Sequence, residues 1–155
     1  GCNCGCDATS AQDEEEEPEE DVEDSYWIKD GNGCAVYNSQ PQYDEYIVWN
    51  GKCENGYAQG PGVLKWYVGG ELDSTITGTW DQGKLNGKGS AISPEGWGYE
   101  GEFVDDQFAG KGVFTRPDGA RFEGNFSNGE PVDTEGLITE PNGKQYRGSF
   151  NDFWQ

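Results

Sequence analysis

The chain has 155 residues, of which 25 are glycine and 21 aromatic, with neither His nor Met. Only 32% of residues are hydrophobic, too few for a thick aliphatic core, and the bias to glycine and aromatics favours short strands and turns over helices. The net charge of −20 excludes nucleic acid as a partner, because phosphate binding needs clustered Lys and Arg, and it excludes electrostatic docking on an anionic membrane. Without His there is no His-based acid–base catalysis, no Ser–His or Cys–His nucleophile and no His-ligated metal site.

Residues 1–25 come first and hold 11 acids and no base, which leaves a net charge of −9 on the remainder. The stretch from Asp13 to Asp24 contains one aliphatic residue, Val22, and repels itself. It buries too little surface to offset the entropy of ordering, so an acidic disordered tail acting as a spacer is expected. A calcium-binding strip is the alternative, but the glycine and the alternating ligands of a Ca²⁺ loop are missing. Cys2, Cys4 and Cys6 open this segment, and Cys34 and Cys53 follow at a distance. A C-x-C-x-C cluster offers three soft ligands where a tetrahedral site wants four, so no metal is expected. The simplest parity for five cysteines is one lipidated Cys2, one Cys34–Cys53 bridge, and a Cys4, Cys6 pair whose state stays open. Two buried free thiols at Cys34 and Cys53 remain the alternative to the bridge.

Residues 26–48 read as cap strands, and a repeat organises residues 49–155. The segments W-N-G-K-C (49–53), I-T-G-T-W (76–80), Y-E-G-E-F (99–103), F-E-G-N-F (122–126) and Y-R-G-S-F (146–150) align on Gly51, Gly78, Gly101, Gly124 and Gly148. The period is thus 23–27 residues. Alternation within Y-E-G-E-F predicts a strand with Tyr99, Gly101 and Phe103 on one face and Glu100 and Glu102 towards water. A second strand, G-K-G-V-F-T-R, is expected to return antiparallel to it. The inward set is Ile76, Trp80, Tyr99, Phe103, Phe122, Phe126, Tyr146 and Phe150. Pro-x-Gly at 94–96, 117–119 and 141–143 is turn chemistry. Mid-strand glycines imply that something lies flat on the backbone, most simply a ring from the neighbouring hairpin.

This pattern resembles the MORN repeat family, whose unit reads roughly Y-x-G-x-[WF]-x-x-G-x-x-x-G-x-G. Tyr99 to Gly119 matches nearly throughout, with Asp106 where glycine is usual, and Phe122 to Gly143 departs from Pro131 onward. The resemblance implies an all-β, elongated single-layer stack of antiparallel β-hairpins, about 4.5 units long, with an N-terminal cap. The stretch from Gly33 to Gly62 is similar to the caps of bacterial MORN proteins, where a Cys34–Cys53 bridge would fasten the cap to the first repeat. Gly1-Cys2 resembles the end of a bacterial lipobox and implies an acyl chain on Cys2. The rival reading is a myristoylated glycine with palmitoylated cysteines, whose pattern wants Ser or Thr where Gly5 stands.

Enzymes that bear such repeats carry their chemistry in a separate domain, and the repeats here account for the chain, so no catalytic residue and no cofactor is expected. The function expected is a lipid-anchored, extracytoplasmic scaffold of a bacterial outer membrane or cell surface that engages another protein, within a membrane or surface complex. The alternative is a glycan-binding module. Trp66, Tyr67, Trp97 and Trp154 fall outside the inward positions and, with Phe153, are the candidate partner or ligand contacts. The edge of the last repeat is open to strand pairing unless Phe153 and Trp154 fold back over it. Phospholipid binding, sometimes proposed for the family, is the reading least compatible with the charge.

Overall fold

The structure, a computed structural model, describes residues 26–132 and 135–154. The expected acidic tail, with Cys2, Cys4 and Cys6, lies outside the described residues. The strands are β1 (Trp27–Lys29), β2 (Ala35–Tyr37), β3 (Glu45–Trp49), β4 (Lys52–Glu54), β5 (Tyr57–Val68), β6 (Glu71–Asp81) and β7 (Lys84–Leu85). They continue as β8 (Gly87–Ile92), β9 (Gly98–Val104), β10 (Gln107–Thr115), β11 (Arg121–Ser127), β12 (Glu130–Pro131), β13 (Gly136–Thr139) and β14 (Gln145–Gly148), and one short helix follows, α1 (Phe150–Phe153). All belong to one sheet in the order β14-β13-β11-β10-β9-β8-β6-β5-β2-β1, with β12 on β11, β7 on β6, and β3 and β4 on β5. Every pairing is antiparallel except a single parallel contact between Ala35 and Tyr57. The chain is therefore an all-β stack of hairpins, as the repeat implies.

Two kinds of turn alternate along it. Asn55-Gly56, Gln82-Gly83, Asp105-Asp106 and Asn128-Gly129 have positive φ at both residues, the signature of the type I′ turns that match strand twist. At the other side of the sheet, the Gly96, Gly119 and Gly143 amides donate to the carbonyls of Ser93, Arg116 and Glu140, closing the three Pro-x-Gly turns.

Register explains the glycines. Gly62 pairs with Gly78, Gly89 with Gly101, Gly101 with Gly112, Gly112 with Gly124, and Gly136 with Gly148, so a line of glycine crosses the sheet. A Cβ on Gly112 would fall inside the Tyr99 ring, one on Gly136 inside the Phe122 ring, and one on Gly51 or Gly62 against the Trp49 ring. At Gly62, Gly112 and Gly136 the ring thus comes from the first strand of the same unit and lies across its own hairpin, not from a neighbour as expected, whereas at Gly89 the nearest ring is Phe103 of the next unit, 3.4 Å from a Cβ built there. A ring two residues before a glycine reaches the cross-strand partner of that glycine without leaving its own face.

Trp80, Tyr99, Phe103, Phe122 and Phe126 are buried, with Leu64, Leu85 and Ile138 among them. Ile76 is half-buried against this core. Two expected inward residues differ. Tyr146 shares the face of Ile138 but lies on the last strand of the sheet, with no further strand beside it among the described residues, and is 37% exposed. Phe150 is not in a strand. Ser149 caps α1 by accepting from the Asp152 amide, and Asp152 returns a bond from the Ser149 amide, a capping box that turns the chain into a helix. Phe150 and Phe153 then pack on Phe114 and Phe122 and close that end of the core. At the other end, a disulfide joins Cys34, just ahead of β2, to Cys53 in β4.

Candidate functional site

Strand alternation that sends the rings inward sends a second set of residues to the opposite face. Across the sheet, Thr77, Ser90, Glu100, Val113, Glu123, Leu137 and Arg147 stand opposite one another in register. Three depressions of about 620, 400 and 680 Å³ lie on this outer face, and Glu100 lines all three. Adjoining depressions over a polar sheet face form a surface that a partner can occupy without disturbing the core.

The five contacts singled out in the sequence are not brought together. Trp66 is half-buried against the core, and its indole Nε1 donates to Glu45 Oε1 at 2.7 Å. The other Glu45 oxygen accepts from the Asn38 amide and the Gln42 backbone N–H. Burial raises the Glu45 pKa, but the bonds from Gln42, Trp66 and Asn38 outweigh it and hold the carboxyl below its ordinary value. Trp66 is thus committed to structure. Tyr67 stacks flat on Tyr46, with centroids 4.6 Å apart. Phe153 is 2% exposed, so it has no face to offer and is core. The fold-back of this end is what buries it. Trp97 and Trp154 are 38% and 46% exposed and lie 5.5 Å apart, both against Phe114. Of the five, these two remain as accessible indoles.

Among the described residues, Asp106 is the titratable group pushed furthest from its ordinary value. It occupies the second position of a type I′ turn with φ 74°, where the repeat usually has glycine. Its Oδ1 accepts from the Leu85 amide at 2.9 Å, while its own amide donates to the Leu85 carbonyl, so the turn docks on the preceding hairpin. Its Oδ2 is buried with no hydrogen-bond partner among the described residues. Burial pushes the carboxyl up to about 6, against the Leu85 N–H and Lys84, and Asp105 adds to the rise. The pattern is that of a strained turn residue rather than an acid–base catalyst, since Asp106 lines none of the three outer depressions. The folded state holds this proton more tightly than the unfolded chain. Its contribution is therefore full below the ordinary value of 3.8 and is lost as pH rises through about 6. Asp106→Asn keeps the Oδ1 acceptor without the buried charge. We expect it to raise stability at pH 7.5 by about 2 kcal/mol and to leave stability at pH 3 nearly unchanged. Denaturant melts at the two pH values check this, and an equal effect at both would refute the assignment.

Among the described residues no group of three or more His, Cys, Asp or Glu could hold a metal ion, and no helix is long and apolar enough to cross a membrane. One sheet of glycine-crossed hairpins, with rings on one face and an open polar face on the other, defines a β-hairpin repeat scaffold. The model of the MORN repeat family matches residues 54–71, 77–97 and 99–121, so the chain carries a MORN-repeat domain of three tandem matched units. The sheet continues beyond the last match through β11, β13 and β14. No curated protein matches the chain. The MORN repeat is generally a non-catalytic protein-interaction module.

Proposed function

We propose that the chain is a lipid-tethered scaffold of a bacterial outer membrane or cell surface, and a subunit of a larger complex there. The observation that carries this reading is the terminal strand. Among the described residues no strand lies beyond β14 in the sheet, while α1 seals the core beside it. An uncovered edge with a sealed core is suited to pairing with a partner's strand. The lipid is assigned to Cys2, supported by the Gly1-Cys2 dipeptide and the acidic, aliphatic-poor stretch behind it. The Cys34–Cys53 bridge supports an oxidising compartment. Like charges extend the tail, so roughly 20 residues at up to about 3.3 Å each would hold the repeats some tens of Å from the bilayer.

Two variants test the two halves of this reading separately. Cys2→Ser is expected to move the protein from the membrane to the soluble fraction, and a variant that stays with the membrane refutes the anchor. Tyr146→Lys places a charge on the β14 edge at an exposed position, and is expected to abolish capture of the partner from envelope extracts without lowering the melting midpoint. Capture that survives Tyr146→Lys moves the binding site off the edge. Deleting the last ten residues is a poorer probe, because it would strip buried Phe153 from the core.

A further inference from the structure

We propose that a cavity beside the Pro94–Gly96 turn, on the ring-bearing face, binds a trimethylammonium group, independent of both the tether and the β14 edge. The cavity measures about 320 Å³, at the small end of the roughly 300–1,000 Å³ of ligand sites. Trp97, Phe108 and Phe114 supply its rings. The Trp97 ring meets Phe114, the register partner of Tyr99, with centroids 6.1 Å apart and planes at 56°, so it stands on the face of Tyr99 and not on the outer face. Phe114 in turn meets Phe108 at 6.5 Å and 61°, and Phe108 lies flat on buried Tyr99 at 3.8 Å. The two phenyl rings are half-buried and the indole is exposed, so each of the three keeps accessible surface. Asp73 of β6 and Glu95 of the turn, both exposed, also line the cavity.

Charge selects the occupant. The lining holds these two carboxylates and no Lys or Arg. Neither Asp73 nor Glu95 takes part in an ion pair among the described residues. Arg116, in the next turn on this side of the sheet, is held by Asp118 and by the Phe153 carbonyl, so it does not neutralise them. A chain of net charge −20 adds to the same field, and an anion is repelled. A metal ion finds too few ligands, because no group of three or more His, Cys, Asp or Glu is gathered among the described residues. That leaves a cation which tolerates ring walls. A primary ammonium is strongly hydrated and brings three donors that ring faces leave without oxygen partners. A trimethylammonium group has no N–H to satisfy, presents methyl groups to the rings, and is attracted by their negative faces at up to about 6 Å. Its charge then answers the two carboxylates at the rim.

The test uses the full chain as Cys2→Ser, which removes the proposed acylation site, and titrates it with choline and with 3,3-dimethylbutanol, the neutral isostere of choline. Binding is read by tryptophan fluorescence and calorimetry. Choline is expected to bind, and the alcohol to bind about tenfold more weakly or less. Asp73→Asn combined with Glu95→Gln removes both charges at exposed positions, and Trp97→Leu removes one ring. Each change should weaken choline about tenfold. The thermal midpoint of Trp97→Leu is measured alongside, while the carboxylate pair gives a loss of binding that owes nothing to packing. Vesicles of phosphatidylcholine identify the source of the group. Sedimentation with vesicles that is lost in Trp97→Leu assigns it to a lipid headgroup, and choline binding without sedimentation assigns it to a soluble cation. Absence of choline binding overturns the proposal. So does equal binding of choline and the alcohol, or choline binding that neither the carboxylate pair nor Trp97→Leu weakens.

Discussion

Phe122→Ala is expected to destabilise the domain by about 3–5 kcal/mol, a large share of the roughly 5–15 kcal/mol that holds an ordinary domain together. Phe122 is 0% exposed. Its ring lies over Gly136 and meets Phe150, Phe153 and Phe126 with centroids 5.1, 5.9 and 6.3 Å apart. Truncation therefore removes the contact that joins β11 to the closing helix, and the surrounding strands, fixed by their ladders, have little freedom to collapse into the space. The denaturant midpoint should fall well below that of the parent with an unchanged slope. A midpoint equal to the parent's would contradict the packing described here.

The second large effect concerns the cap. Cys34 is 1% exposed and is bonded to Cys53, 19 residues away. Closing a loop of that size limits the unfolded chain and contributes about 3 kcal/mol by the chain-entropy argument. Replacing both cysteines with alanine should lower stability by about 2–4 kcal/mol, and reductant should lower the parent's melting midpoint while leaving the double variant's in place. Equal midpoints with and without reductant would show that the bond contributes nothing to the fold. The same pair bears on location, because such bridges persist in oxidising compartments.

How much of this was legible in the sequence follows from the range of the interactions. The hairpins were legible because strand period, Pro-x-Gly turns and glycine spacing are local and recur. The face of Tyr99, Phe103, Phe122 and Phe126 followed from alternation alone. The source of the ring over each glycine was not, because it depends on which glycines pair across strands, and register is fixed only when the whole sheet is assembled. Analogy with the earlier units places Phe150 in a strand, but Ser149 and Asp152 form a capping box that turns the chain into α1 once it leaves β14. Trp66 looked free because its partner, Glu45, is 21 residues earlier in the chain.

Rings that lie across the glycines of their own hairpins are the central packing feature of the sheet, since they consume the aromatics on one face and leave the other open. A double-mutant cycle between Tyr99 and Gly112 tests it directly. The three nearest atoms to a Cβ built at Gly112 all belong to Tyr99. Gly112→Ala alone is therefore expected to destabilise by about 1–3 kcal/mol. In the Tyr99→Ala background the same change should cost nothing or stabilise, because the methyl enters vacated space and the unfolded chain loses freedom. A coupling of about 1 kcal/mol or more is the predicted result. Strict additivity of the two substitutions would mean that Tyr99 does not lie on Gly112, and would contradict the account.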